Sequence, residues 1–245
     1  GWLRNNGEGK TTYNLFREFS KIITKLLSTS IIPLLPVYIF GTFMNMTYSG
    51  QIFTTLSIFL KVFICVIILH ILYTAGLFIF AGGLSGKNPF VCMKNQIPGY
   101  FTALGTQSSA ATIPINIECA KRNGTSPEIR EFVVPLCATI HLAGSIITIT
   151  SCVVTVLMMH SMSYGISTIF PFIMVLGVAM VAAPGAPGGA IMSALPFLGM
   201  VGIASSSPMA SLLIALYITQ DSFGTAANVS GDNAIAIIVD WIYHK

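Results

Sequence analysis

The stretch "QDSFGTAANVSGDNA", Gln220 to Ala234, places Asp221 and Asp232 eleven residues apart. Upstream, Phe132 to Gln220 contains no Asp, Glu, Lys or Arg. Each residue of an α-helix turns the chain by about 100°. Asp221, Thr225, Asn228 and Asp232 stand at i, i+4, i+7 and i+11, so all four project from one narrow helix face. An unpaired carboxylate in hydrocarbon costs several kcal/mol. No Lys or Arg lies between Phe132 and Ile242 to neutralise either acid. A bound cation is the simplest counter-charge. Asp232, with Asn228 and backbone carbonyls, is placed to hold Na⁺, and Asp221 to meet the ammonium of an amino acid.

Hydrocarbon is the expected surrounding on composition. The chain is 54% hydrophobic and 8% charged, with mean hydropathy +0.80. Soluble domains carry about 25% charged residues. Several apolar windows reach the roughly 20 residues a helix needs to cross a bilayer. The net charge of +4 does not indicate nucleic acid, because the basic residues sit in short hydrophilic breaks. The five cysteines form no CxxC pair and show neither a disulfide framework nor metal-ligand spacing.

The expected architecture is an all-α membrane protein with two opposed re-entrant helical hairpins. Residues 1–25 form a cytoplasmic lead-in, and 26–50 hold a scaffold-type transmembrane helix in which Pro33 and Pro36 set a kink or break. The remainder, 53–245, reads as one domain. It comprises a helix over 53–84, hairpin one over 88–123, a helix over 131–160, hairpin two over 165–203 and a helix over 208–242. In hairpin one, two apolar arms flank the tip "GTQSSAAT" (Gly105 to Thr112), and Lys87, Lys94, Lys121 and Arg122 close both ends. Irregular tips survive at membrane depth only where protein or a wet cavity satisfies them. In hairpin two the break is "PGAPGG" (Pro184 to Gly189). If the lead-in is cytoplasmic and the hairpins return to their own sides, every Lys and Arg except Lys61 falls inside. The two hairpins then enter from opposite faces, the mark of inverted-repeat secondary transporters.

Several polar residues have plainer readings. Asp240 lies near the C-terminus and reads as solvated, and Glu118 beside Lys121 and Arg122 as a solvated face. His70 and His160 read as structural or interfacial, and His141 as a hydrogen-bonded packing residue. Ser108 and Ser109, at the tip of hairpin one, offer N–H and O–H donors to a ligand carboxylate.

Four motifs in order resemble the dicarboxylate/amino acid:cation symporter family. They are "TQSSAATIP" (Thr106 to Pro114), "PLCATIHLAGS" (Pro135 to Ser145), "APGGAIM" (Ala186 to Met192) and "QDSFGTAANVSGD" (Gln220 to Asp232). The resemblance covers roughly Phe16 to Ile242. It implies a trimerising scaffold and a transport domain that moves like an elevator. By that comparison the chain begins near the fifth transmembrane helix and lacks the first four. The resemblance further implies that Ser108, Ser109, Ser145, Ala186, Pro187, Gly188, Asp221, Thr225 and Asn228 contact substrate. Asn228, Asp232 and the His141 backbone would then meet the cation. It also implies a multi-pass protein of the inner (plasma) membrane, a homotrimer when full length, with no enzymatic step and no nucleic-acid partner.

Departures from the family pattern bear on substrate and ion. Members that carry acidic substrates have Arg three residues after the substrate Asp, where this chain has Gly224. The family's N-M-D-G-T motif reads His141, Leu142, Ala143, Gly144, Ser145 here, so one cation-binding acid is lost at Ala143. The serine/threonine:sodium symporter branch similarly lacks that acid. The expectation is a symporter for a small neutral amino acid such as serine or threonine, driven by Na⁺ or H⁺. A dicarboxylate or acidic amino acid symporter and an ion channel are the alternatives. An intramembrane hydrolase would need His141 bonded to Ser108 or Ser109.

Overall fold

The computed structural model describes residues 52–245 without a gap and only isolated positions before them. Contacts divide the chain into Gly1–Tyr48 and Ser49–Lys245. Most of the expected lead-in over 1–25 and of the expected helix over 26–50, Pro36 included, lies outside the described residues. Pro33 falls in a 3-10 turn, Ile32–Leu34.

In the second unit all described elements are helices. Helix α1, Ile52–Ser85, has 34 residues and one charge, Lys61. It ends before Gly86, whose φ of +70° suits a residue without Cβ. Asn88 then starts α2, Pro89–Thr106, by accepting hydrogen bonds from the N–H groups of Phe90 and Val91, with Pro89 at the first helical position. The chain reverses at Gln107 and Ser108, and α3, Ser109–Arg122, runs back antiparallel to α2. Helix α4, Pro127–Ile140, follows, then α5, Ala143–Met159. Helix α6, Ile166–Met180, leads through a break to the short α7, Gly189–Ala194, which continues as a 3-10 helix, Leu195–Val201. Pro196 supplies no N–H, which favours that tighter continuation. The chain finishes with α8, Pro208–Ile218, and α9, Asp221–Tyr243.

Two expected spans are interrupted. The helix over 131–160 divides at His141 and Leu142, and the helix over 208–242 at Thr219 and Gln220. Neither break has Pro or Gly at the turning residues. At the first, the exposed N–H groups of α5 are satisfied from another helix: Asn228 Oδ1 accepts from Gly144 N at 2.7 Å and Ser145 N at 3.3 Å. At the second, Gln220 N turns back to the Tyr217 carbonyl at 2.9 Å, and Gln220 becomes the residue before α9.

Helix α9 is the axis of the unit. It packs against α1, α2, α3, α4 and α5, and most of its residues are buried. Ala234 and Ile237 meet Phe78, Ala81 and Cys92, while Ala236 meets Val133, Val134 and Cys137. Small residues permit this crowding. A Cβ on Gly144 would come within 2.4 Å of the Gly224 carbonyl oxygen, so α5 and α9 cross there almost backbone to backbone. A connected set of buried amides ties α2 and α3 to α9. Asn116 Nδ2 donates to the Val229 carbonyl at 2.9 Å, Gln96 Nε2 to Asn116 Oδ1 at 3.0 Å, and Asn233 Nδ2 to Gln96 Oε1.

Asp240 is not solvated. It is buried, accepts from Ser126 Oγ at 2.6 Å and Ser126 N at 3.0 Å, and has Lys87 Nζ 3.9 Å away. Lys87 also donates to the Gly124 carbonyl, so this cluster gathers the two ends of the α2–α3 pair against α9. Glu118 is half-buried and pairs with Lys121 and Arg122 on the surface, close to the solvated face expected. The outward face of α1 is apolar, with Leu60, Ile64, Ile68, Leu72, Ile79 and Phe80 all more than half exposed. A face of that extent suits lipid rather than water.

Candidate functional site

Asp221 is the first residue of α9, where the helix dipole favours negative charge. It is 5% exposed. Its Oδ2 accepts from Gly188 N at 2.7 Å, and its Oδ1 from the Tyr217 hydroxyl at 2.6 Å. Gly188 belongs to the break between α6 and α7 and has φ +73°, a conformation open to glycine. The break between α6 and α7 thus reaches the start of α9.

The other break meets it. Ser108 Oγ donates to the Gly185 carbonyl at 2.8 Å, and also accepts from Ala111 N as the cap of α3. Beside this contact lies a small, partly open pocket. Ser109, Ser145, Gly185, Ala186, Asp221 and Thr225 are among its lining, together with Gln107 and Leu142. Among the described residues, no Lys, Arg or His belongs to that lining. The pocket therefore offers one carboxylate, hydroxyls and helix N-terminal N–H groups, a donor and acceptor set suited to a small zwitterion.

The expected site residues divide into groups. Ser109, Ser145, Ala186, Asp221 and Thr225 come together around the pocket. Ser108 bridges the two breaks, and Gly188 holds Asp221. Pro187, between them in sequence, is not part of the lining. The Asn228 side chain is occupied: besides its two bonds to α5, its Nδ2 donates to Ser145 Oγ at 3.0 Å. Asn228 thereby orients a pocket residue from behind.

Asp232 stands three turns further along α9, about 16 Å from Asp221 by helix rise. It is 1% exposed. The His141 Nδ1–H group donates to its Oδ1 at 2.8 Å, and His141 Nε2 lies 2.8 Å from the Tyr73 hydroxyl. Asp232 Oδ2 is buried and has no hydrogen-bond partner among the described residues. A free, buried carboxylate oxygen next to a helix break suits a small cation. Gly231 makes room for the ring, since a Cβ there would sit 2.4 Å from His141 Cε1. Among the described residues no group of three or more His, Cys, Asp or Glu could hold a metal ion.

Sequence reasoning missed the His141 partner of Asp232 and the Tyr217 partner of Asp221. It searched for Lys and Arg, and neither Tyr nor neutral His carries the charge sought. His70 is packed, its Nε2 donating to the Gly144 carbonyl at 3.0 Å. His141 makes no bond to Ser108 or Ser109: its two nitrogens face Tyr73 and Asp232, and Ser108 is engaged by Gly185.

Comparison with known proteins shows the family of the chain. The profile of the sodium:dicarboxylate symporter family matches residues 2–242. A serine/threonine transporter, SstT, of Acinetobacter baumannii (strain SDF) is 30% identical over 240 residues, covering 94% of this chain and 58% of that protein. The SstT of Acinetobacter baylyi is 32% identical over 160 residues, 63% of this chain and 39% of that protein. Excitatory amino acid transporter 1 of Rattus norvegicus is 27% identical over 201 residues, 82% of this chain and 36% of that protein. The chain thus spans less than two thirds of the length of these relatives.

Proposed function

Since the chain belongs to the sodium:dicarboxylate symporter family, we propose that it is the substrate-handling part of a secondary symporter for a small neutral amino acid, serine or threonine, driven by Na⁺ or H⁺. The observation that carries this reading is the pocket that, among the described residues, is lined by one carboxylate and no cationic side chain. The substrate ammonium pairs with Asp221. The substrate carboxylate meets the N-terminus of α3 near Ser109, with Ser145 and Thr225 as hydroxyl neighbours. A second carboxylate would be buried without a partner, because Gly224 occupies the position where acidic-substrate members have Arg. Neutral side chains are favoured for that reason, and the space beside Gly224 is limited by Thr148 Oγ1, 3.3 Å from where its Cβ would be.

The coupling ion sits at Asp232. Its unpartnered Oδ2 supports a cation there, and His141 on the other oxygen supports a proton as the alternative ion. The backbone where α4 ends at His141 adjoins this acid, whereas the Asn228 oxygen is taken by the N–H groups of Gly144 and Ser145 and is not free to join it. The reading extends to the family's elevator movement, with α2–α3 and α6–α7 as re-entrant hairpins in a multi-pass protein of the inner (plasma) membrane. It extends also to a homotrimer in the full-length protein.

The test is a substrate panel in proteoliposomes of the full-length protein, with and without sodium and proton gradients. Saturable, gradient-driven uptake of serine or threonine, with little uptake of succinate or aspartate, is the expected result. Preferential dicarboxylate uptake would transfer the protein to the acidic-substrate class, and ion current without solute uptake would make it a channel.

A further inference from the structure

We propose that Tyr217 is a positioning residue for the amino-acid pocket, its hydroxyl orienting the Asp221 carboxylate to receive a substrate ammonium. The inference rests on the amino-acid reading above and deepens it. Tyr217 is fully buried in the last turn of α8 and is not part of the pocket lining. It therefore reaches the pocket only through other residues, Asp221 first and the Ser145 hydroxyl beside it. The two residues belong to different helices, separated by the break at Thr219 and Gln220, so their 2.6 Å contact is not a by-product of one continuous helix.

The chemistry of the two donors to Asp221 matters. A carboxylate has about four lone-pair directions. Tyr217 takes one on Oδ1 and Gly188 N takes one on Oδ2, which leaves one on each oxygen. Both donors are neutral. They fix the rotamer without cancelling the charge, so a cationic ligand is still required to neutralise the acid. A Lys or Arg in the same place would satisfy Asp221 permanently and weaken its attraction for ammonium. Around the pair the buried neighbours are also uncharged: Gln220 donates to the Leu216 carbonyl at 2.9 Å and to Cys152 Sγ at 3.7 Å. The simpler view is that Asp221 merely satisfies a buried tyrosine hydroxyl, as buried tyrosines need. The two views differ in what removal of the hydroxyl does to affinity.

The experiment compares serine uptake by the full-length wild type and Tyr217→Phe in proteoliposomes, normalised to folded protein. Positioning predicts KM raised about tenfold, equivalent to ~1.4 kcal/mol, with maximal rate within about twofold and an unchanged ion-activation curve. A purely structural role predicts unchanged KM with a lower yield of folded protein or a lower rate, and that result would overturn the proposal. If Tyr217→Phe fails to fold, 4-fluorophenylalanine at position 217 fills the lost volume but cannot donate. It should give the same rise in KM, and wild-type KM there would equally overturn the role. Wild type that shows no ion-driven serine uptake sinks the transport reading and this role together. Wild type that transports, beside a variant of equal KM, sinks the role alone.

Discussion

Two carboxylates, buried on one face of α9, are each held by residues outside that helix, and in each case the side chain that holds them is uncharged or weakly basic. Asp221 has Tyr217 and Gly188; Asp232 has His141. This arrangement leaves negative charge in a dry place, where opposite charge is attracted most strongly. Asp232→Asn in the full-length protein is expected to raise the sodium concentration for half-maximal serine uptake about tenfold or abolish sodium dependence, while the protein still folds. An unchanged activation curve would remove Asp232 from the ion path. Gly231→Ala probes the same point without touching a polar group. Its methyl would meet His141 Cε1 at 2.4 Å, push the imidazole off Asp232, and shift the same activation curve. A variant indistinguishable from wild type would show that the His141 contact does not matter for the ion.

Among the elements, the α2–α3 and α6–α7 pairs differ in how they are attached. The first is tied to α9 by Gln96, Asn116 and Asn233. The second reaches α9 through the Gly188–Asp221 bond at its break. Asn116→Ala removes a buried donor to the Val229 carbonyl and an acceptor for Gln96. It should cost about 1–3 kcal/mol of stability. A melting temperature lowered by several degrees in detergent would agree with this, and no change would mean that the amides are not needed for the attachment. The breaks within the α2–α3 and α6–α7 pairs were legible in the sequence because Pro184, Gly185, Pro187, Gly188 and Gly189 interrupt one apolar run, and polar residues interrupt the other. The breaks at His141 and at Gln220 were not, because their causes are tertiary: an asparagine from α9 caps α5, and the Gly188 N–H bonds the carboxylate at the start of α9. The amide network left a weaker signal, since Gln96, Asn116 and Asn233 are uncharged polar residues within otherwise apolar arms.

For the second unit as a whole, α9 supplies the axis around which the breaks of four helices converge. Composition and charge distribution pointed to a membrane protein, and the stripe on the last helix located both acids on one face. What lay beyond sequence pattern was which groups meet them, because a 2.6 Å contact between α8 and α9 depends on how the break folds. The pocket beside Asp221 is the point where the fold becomes a function. Its account stands or falls on whether that carboxylate binds the amino group of a small neutral amino acid.

Equilibrium binding of serine to the purified full-length protein, wild type against Asp221→Asn, is the direct measurement. The expected result is saturable serine binding by wild type, not displaced by succinate, and weakened at least about tenfold in the variant, as for loss of a buried charged hydrogen bond. Serine binding of equal strength in both proteins would contradict the account.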